Sequence, residues 1–138
     1  MELQKITLMD AYMIETLRSN GISNNEILAQ IEQGNVDGWQ DLHEHFDFNE
    51  LLKLAEQDIR SFRSILLEGY KVKYVTFKGL QNLIKLRFGK VKDKDYQLTE
   101  TSIENLKLNE DQALTLKQMI SQNWIFSWDG GTGSLSHR

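Results

Sequence analysis

The spacing of apolar residues changes once along this chain, and that change limits what it can fold into. From Thr7 to Gly69 they recur every three or four residues, the period of an amphipathic helix. Beyond Gly69 short stretches alternate: Tyr70, Val72 and Tyr74 are separated by Lys71 and Lys73, the period of a half-buried strand. Helices followed by a mixture of strands and helices predict an α+β fold.

The helical half is clearly punctuated. Thr7 with Asp10, and Ser23 with Glu26, are start signatures, because a side-chain oxygen can accept from the free amides of a first turn. Gly21 and Gly34 follow as stops. Asp37 opens a short helix through Trp39 and Leu42 to His45. Asp47 and Glu50 open the longest one, whose stripe of Phe48, Leu51, Leu52, Ala55, Ile59, Phe62, Ile65 and Leu66 runs unbroken to Gly69.

The second half reads as a strand at 70–77, a helix at 78–88 capped by Thr76 and stopped by Gly89, and a short strand around Tyr96 and Leu98. A strand at 104–108, a helix at 110–122 opened by Asn109 and Gln112, and a strand at 124–128 complete it. Strand–helix–strand–strand–helix–strand is the order of a split βαβ unit. The expectation is an N-terminal bundle of about four helices packed with a small antiparallel sheet and two further helices. It forms a single domain over 1–129, with a helical half at 7–68 and a strand–helix half at 70–128. Residues 130–138, rich in Gly and Ser, are expected to be a flexible tail.

The 138 residues suffice for a buried core without covalent staples, and there is no cysteine to make one. Disulfides, thiolate metal sites and cysteine nucleophiles are excluded. No apolar run approaches the roughly 20 residues that span a bilayer. The opening MELQKITLMDAYM lacks the basic start and apolar core of a secretory signal, so the expected location is cytoplasmic, with no membrane partner.

The net charge of −4 conceals a strong asymmetry. Residues 1–58 hold twelve acids and three bases; residues 59–94 hold ten bases and two acids. Within the basic segment Lys71, Lys73, Lys78, Lys85, Arg87, Lys90, Lys92 and Lys94 face a single acid, Asp93. The helix at 78–88 puts Leu80, Leu83, Ile84 and Phe88 inward, so Lys78, Gln81, Asn82 and Lys85 are expected outside. Lysines neutralise phosphate and amides can read base edges. The same face could instead meet an acidic protein, or be answered by the acids of the first half.

The run LRSNGISNNEILAQIEQGN (17–35) resembles the first two helices of helix-turn-helix domains and the start of three-helix ubiquitin-associated-like modules. The former resemblance would make DGWQDLHEHF the reading helix, yet it carries Asp37, Asp41 and Glu44 and no Lys or Arg. Phosphate repels such a helix.

Asp41, His43, Glu44, His45, Asp47 and Glu50 are metal-ligand types, but two histidines two apart on a helix point to different faces, so no metal site is expected. There is no G-x-S-x-G elbow, and the GGTG at 130–133 lacks the Lys-Ser/Thr and helix of a phosphate loop. No enzyme activity and no small-molecule cofactor are therefore expected. Trp124, Phe126 and Trp128 share one strand face, which is core if covered and a candidate apolar interface if not. The resulting expectation is a non-enzymatic binding or regulatory module acting through protein–protein contact or self-association. The alternative is nucleic-acid binding through residues 71–94.

Overall fold

The computed structural model describes residues 3–42 and 46–137. A three-residue strand β1 (Gln4–Ile6) leads into α1 (Leu8–Ser19) and α2 (Asn24–Gln33), followed by a 3-10 turn at Asp37–Leu42. The chain continues through α3 (Asn49–Gln57), α4 (Ile59–Leu67), β2 (Tyr70–Val72) and α5 (Phe77–Phe88). It ends with β3 (Gln97–Leu98), β4 (Ser102–Lys107), α6 (Glu110–Met119), β5 (Trp124–Trp128) and β6 (Thr132–His137). The fold is α+β, as the apolar spacing requires.

The helix starts follow from their caps. The side chains of Thr7, Ser23 and Thr76 each accept from the backbone amide three residues on, and Asn109 with Gln112 closes a reciprocal capping box. Gly34 and Gly89 end α2 and α5 in the left-handed conformation that glycine adopts without penalty. α1 packs on α5, and Gly79 makes the approach possible: a Cβ there would stand 2.6 Å from Leu8 Cδ2 and 3.0 Å from Tyr12 Oη.

The expected long helix is broken in two. Asp58 leaves helical geometry (φ −164°, ψ 100°), and its carboxylate accepts from the amides of Arg60 and Ser61 and from the Ser61 hydroxyl. The aspartate is thus an N-cap for α4 rather than an interior residue. Leu51, Ala55, Phe62, Ile65 and Leu66 stay buried, while Ile59, which follows the break, is 40% exposed.

The element order at 70–128 is the expected strand–helix–strand–strand–helix–strand, but its strands do not join in one split βαβ sheet. β2 leaves the other strands and pairs in parallel with β1, matching Gln4 to Tyr70 and Ile6 to Val72. A parallel pair needs a long crossover, and α1–α4 supply it. Ile6, Tyr70 and Val72 are buried by this pairing. The remaining strands form an antiparallel sheet in the order β3-β4-β6-β5. Asn105 occupies the left-handed region (φ 56°) where the β4–β6 register shifts. Its amide donates to Gln97 Oε1 at 2.9 Å, which ties the irregularity to the neighbouring strand.

Residues 130–138, expected as a flexible tail, carry β6 through His137, so the domain does not end at 129. β6 pairs on both sides, with β4 and with β5. Leu135 is fully buried. Gly133 lies under Phe126, whose Cε1 would be 2.8 Å from any Cβ at that position. The low apolar content of β6 reflects tight packing at a position where a side chain does not fit.

Candidate functional site

The ten candidate contact residues of 71–94 part into two groups. Lys73, Lys78, Lys85, Lys92 and Lys94 are exposed. Lys78 and Lys85 are seven residues apart on α5, two helical turns, so they project from the same side about 10 Å apart along the axis. Among the described residues no carboxylate lies within 4.0 Å of any lysine from Lys71 to Lys94. Among the described residues, then, no acid of the first half forms an ion pair with these lysines, although Lys73 lies close enough to Asp10 to favour its charged form.

The other members turn to the protein itself. Lys71 is half-buried and donates to the Ile120 carbonyl at 3.3 Å, and Lys90 is half-buried too. Gln81 and Asn82, expected on the outer face, are half-buried. The Gln81 amide donates to the Phe77 carbonyl and that of Asn82 to Tyr12 Oη, each at 3.3 Å. Arg87 leaves the basic face altogether: its Nη1 reaches both oxygens of Glu15, at 3.2 and 3.1 Å.

Glu15 is the most strongly marked acid of the described chain, and no sequence motif announced it. It is 0% exposed, yet it carries a carboxylate. Arg18 Nη1 donates to it at 3.1 Å and Tyr70 Oη at 2.5 Å. Burial, followed by the adjacent carboxylate, pushes the Tyr70 hydroxyl well above the ordinary tyrosine value, so it keeps its proton and donates. Arg18 is held in turn by Asn24 Oδ1 at 3.1 Å and by the Leu66 carbonyl at 2.8 Å. The cluster joins α1, α2, α4, β2 and α5 through one acid. A carboxyl four residues beyond Ala11, on a helix that is otherwise buried at Ala11, Ile14 and Leu17, was the available signal.

Two clefts flank the cluster and share Arg18, Leu66, Leu67 and Arg87. The larger, of about 530 Å³, lies against α2; the smaller, of about 170 Å³, reaches Glu68 and Gln118.

Of the candidate apolar interface, Trp124 belongs to the core, while Phe126 and Trp128 are half-buried against it. Trp124 is 2% exposed, its ring packs on Phe77 and His137, and its Nε1 donates to the Val75 carbonyl at 2.7 Å. Trp128 Nε1 donates to the Leu108 carbonyl at 3.2 Å, and Phe126 covers Gly133. Trp124 is thus not available to a partner without unpacking β5. What β5 exposes is Ile125, on its opposite face. In the 41–50 stretch His43, Glu44 and His45 lie outside the described residues. No helix among the described residues is long and apolar enough to cross a membrane. Protein-family models, curated proteins and solved structures yield no match to this chain.

Proposed function

We propose that this chain is a non-enzymatic binding module acting through protein–protein contact, with the lysines of 71–94 presented to an acidic surface of its partner. The observation that carries this reading is the set of exposed lysines with no carboxylate in ion-pairing range among the described residues. Unanswered cations on an acidic protein attract an oppositely charged surface and steer its approach. The internal bonds of Gln81 and Asn82 weigh against base reading, since the two amides suited to it are already engaged. Lack of cysteine fits a reducing compartment such as the cytoplasm.

A second reading, sequence-independent nucleic-acid binding, is favoured by Tyr74, which is 58% exposed between Lys73 and the start of α5 and could stack on a base. The experiment reverses Lys78, Lys85 and Lys92 to Glu. It measures binding of a glutamate-rich peptide, duplex DNA and single-stranded RNA over a range of salt. The parent is expected to bind the acidic peptide with a marked salt dependence, and the triple variant to lose about tenfold or more. Tighter binding of DNA or RNA than of the peptide, with a slope set by the phosphates contacted, would favour the second reading. Absence of binding to all three, or no change in the variant, would overturn both.

A further inference from the structure

We propose that the larger cleft beside Glu15 is a carboxylate-binding site, taking a ligand with one carboxylate and an apolar body. The inference is independent of the lysine face. Its first ground is charge: Arg18 and Arg87 both meet Glu15, and Tyr70 is neutral, so the cluster keeps one positive charge at the cleft wall. The second ground is a free fork. Arg18 is used on all three nitrogens. Arg87 donates only through Nη1, which leaves its Nε–Nη2 edge with no protein acceptor among the described residues. That edge carries two parallel N–H groups spaced for a carboxylate.

The third ground is the start of α2, where Ser23 and Asn24 line the same cleft. Ser23 caps the amide of Glu26, while the amides of Asn24 and Asn25 have no acceptor among the described residues. Free first-turn amides add partial positive charge at the rim. Ile22, Leu86 and Leu67, the last 57% exposed, add apolar walls, and Ser19 a polar one.

The ligand class follows from the balance. A single surplus charge matches a monoanion, and the buried Glu15 carboxylate opposes a second negative charge close by. A carboxylate is therefore preferred to a phosphate dianion, and the leucine and isoleucine walls cover an aliphatic body. The smaller cleft is less suited, because it does not reach Ser23 and Asn24 at the start of α2.

The test follows backbone amide shifts by NMR during titration with N-acetyl-leucine, N-acetyl-leucinamide, inorganic phosphate, and a tetrapeptide ending in leucine with a free carboxylate. Saturable shifts at Asn24, Asn25, Leu67 and Leu86 are expected with N-acetyl-leucine below about 10 mM, the strength suited to so small a ligand. The uncharged amide and phosphate should bind about tenfold more weakly or worse. Tighter binding of the tetrapeptide would identify a chain terminus as the source of the carboxylate; equal or weaker binding would identify a small free acid. Arg87→Lys keeps the charge but loses the fork, and should weaken binding. Leu67→Glu changes an exposed position, and should abolish binding without lowering the melting temperature. Lack of saturation, equal binding of acid and amide, equal binding of phosphate, or full binding by Leu67→Glu would each overturn the proposal.

Discussion

Lys85 and Arg87 lie two residues apart on α5, and the fold treats their charges in opposite ways. Two residues along a helix is a turn of about 200°, so the side chains leave on nearly opposite sides. Lys85 is exposed, with no carboxylate within 4.0 Å among the described residues. Arg87 turns to a fully buried acid from α1. A count of charge over 59–94 treats the two as equal. The helix divides them into an exposed cation and an internal joint that holds five elements together.

The joint can be broken from its acid. Glu15→Ala leaves two guanidiniums and a tyrosine hydroxyl around a void. Loss of one partner from a buried pair costs about 3–5 kcal/mol. Arg87 keeps 31% and Arg18 18% of their side-chain exposure, so water can relieve part of the penalty and about 3 kcal/mol is expected. Denaturant melts check this. A loss under about 1 kcal/mol would mean that the cluster is no more than a surface pair.

A smaller effect sharpens the same point. Tyr70→Phe keeps the ring in the core and removes only the 2.5 Å bond to Glu15. A hydrogen bond to a buried charged group contributes about 1.5–3 kcal/mol, and the two arginines still hold the acid, so about 1.5 kcal/mol is expected. Combined with Arg87→Gln, the losses should not add, because both variants act on one carboxylate. Strict additivity would separate the tyrosine from the arginine.

The lysine side of the comparison should hardly register in stability. Reversal of Lys78, Lys85 and Lys92 touches no ion pair among the described residues and should alter the unfolding free energy by about 0.5 kcal/mol or less. A large loss would show that those lysines serve the fold rather than a partner.

The two sides were not equally legible in the sequence. Lys78 and Lys85 are expected outward because Leu80, Leu83, Ile84 and Phe88 can only go inward; the first three are buried and Phe88 is half-buried. Glu15 was not singled out, because a single acid within an apolar helix gives no sign of which distant residues will meet it. Its partners Tyr70 and Arg87 are 55 and 72 positions away. Two local signals are obscured. Asp58 with Ser61 is a cap signature, but the apolar stripe continues in register across it and hides the break. Asp-Gly between WIFSW and TGSLSH is a hairpin signal. It was masked because β6 contributes only Leu135 and Gly133 to the buried layer, so its composition looks like a tail. The element order of a split βαβ unit was legible but its sheet pairing was not: β1 is only three residues long, too short to give a period, yet it captures β2.

Acid separates a third kind of charge, carboxylates answered by backbone rather than by cations. Asp129 accepts from the amides of Gly131 and Thr132 and from the Thr132 hydroxyl, which closes the β5–β6 turn. Its pKa is held below the ordinary aspartate value by those bonds, first by that of the Thr132 amide. Asp58 is likewise lowered, first by the Ser61 hydroxyl. A depressed folded-state pKa gives stability that is present above the unfolded value, about 3.9, and lost as the pH falls through the folded one. Asp10 runs the other way. Burial raises its pKa, so protonation favours the folded state there and partly offsets the loss. Global stability should therefore change little on mild acidification, while the two capped sites loosen locally below about pH 4. Hydrogen exchange of the Arg60, Ser61, Gly131 and Thr132 amides, compared with that of core amides such as Leu83, measures this. In Asp129→Asn the turn amides should lose their acid sensitivity, because an amide oxygen still accepts but no longer titrates. If Gly131 and Thr132 in the parent stay as protected at pH 3 as at pH 6, the carboxylate does not hold the turn, and pairing of β6 with β4 and β5 alone closes it.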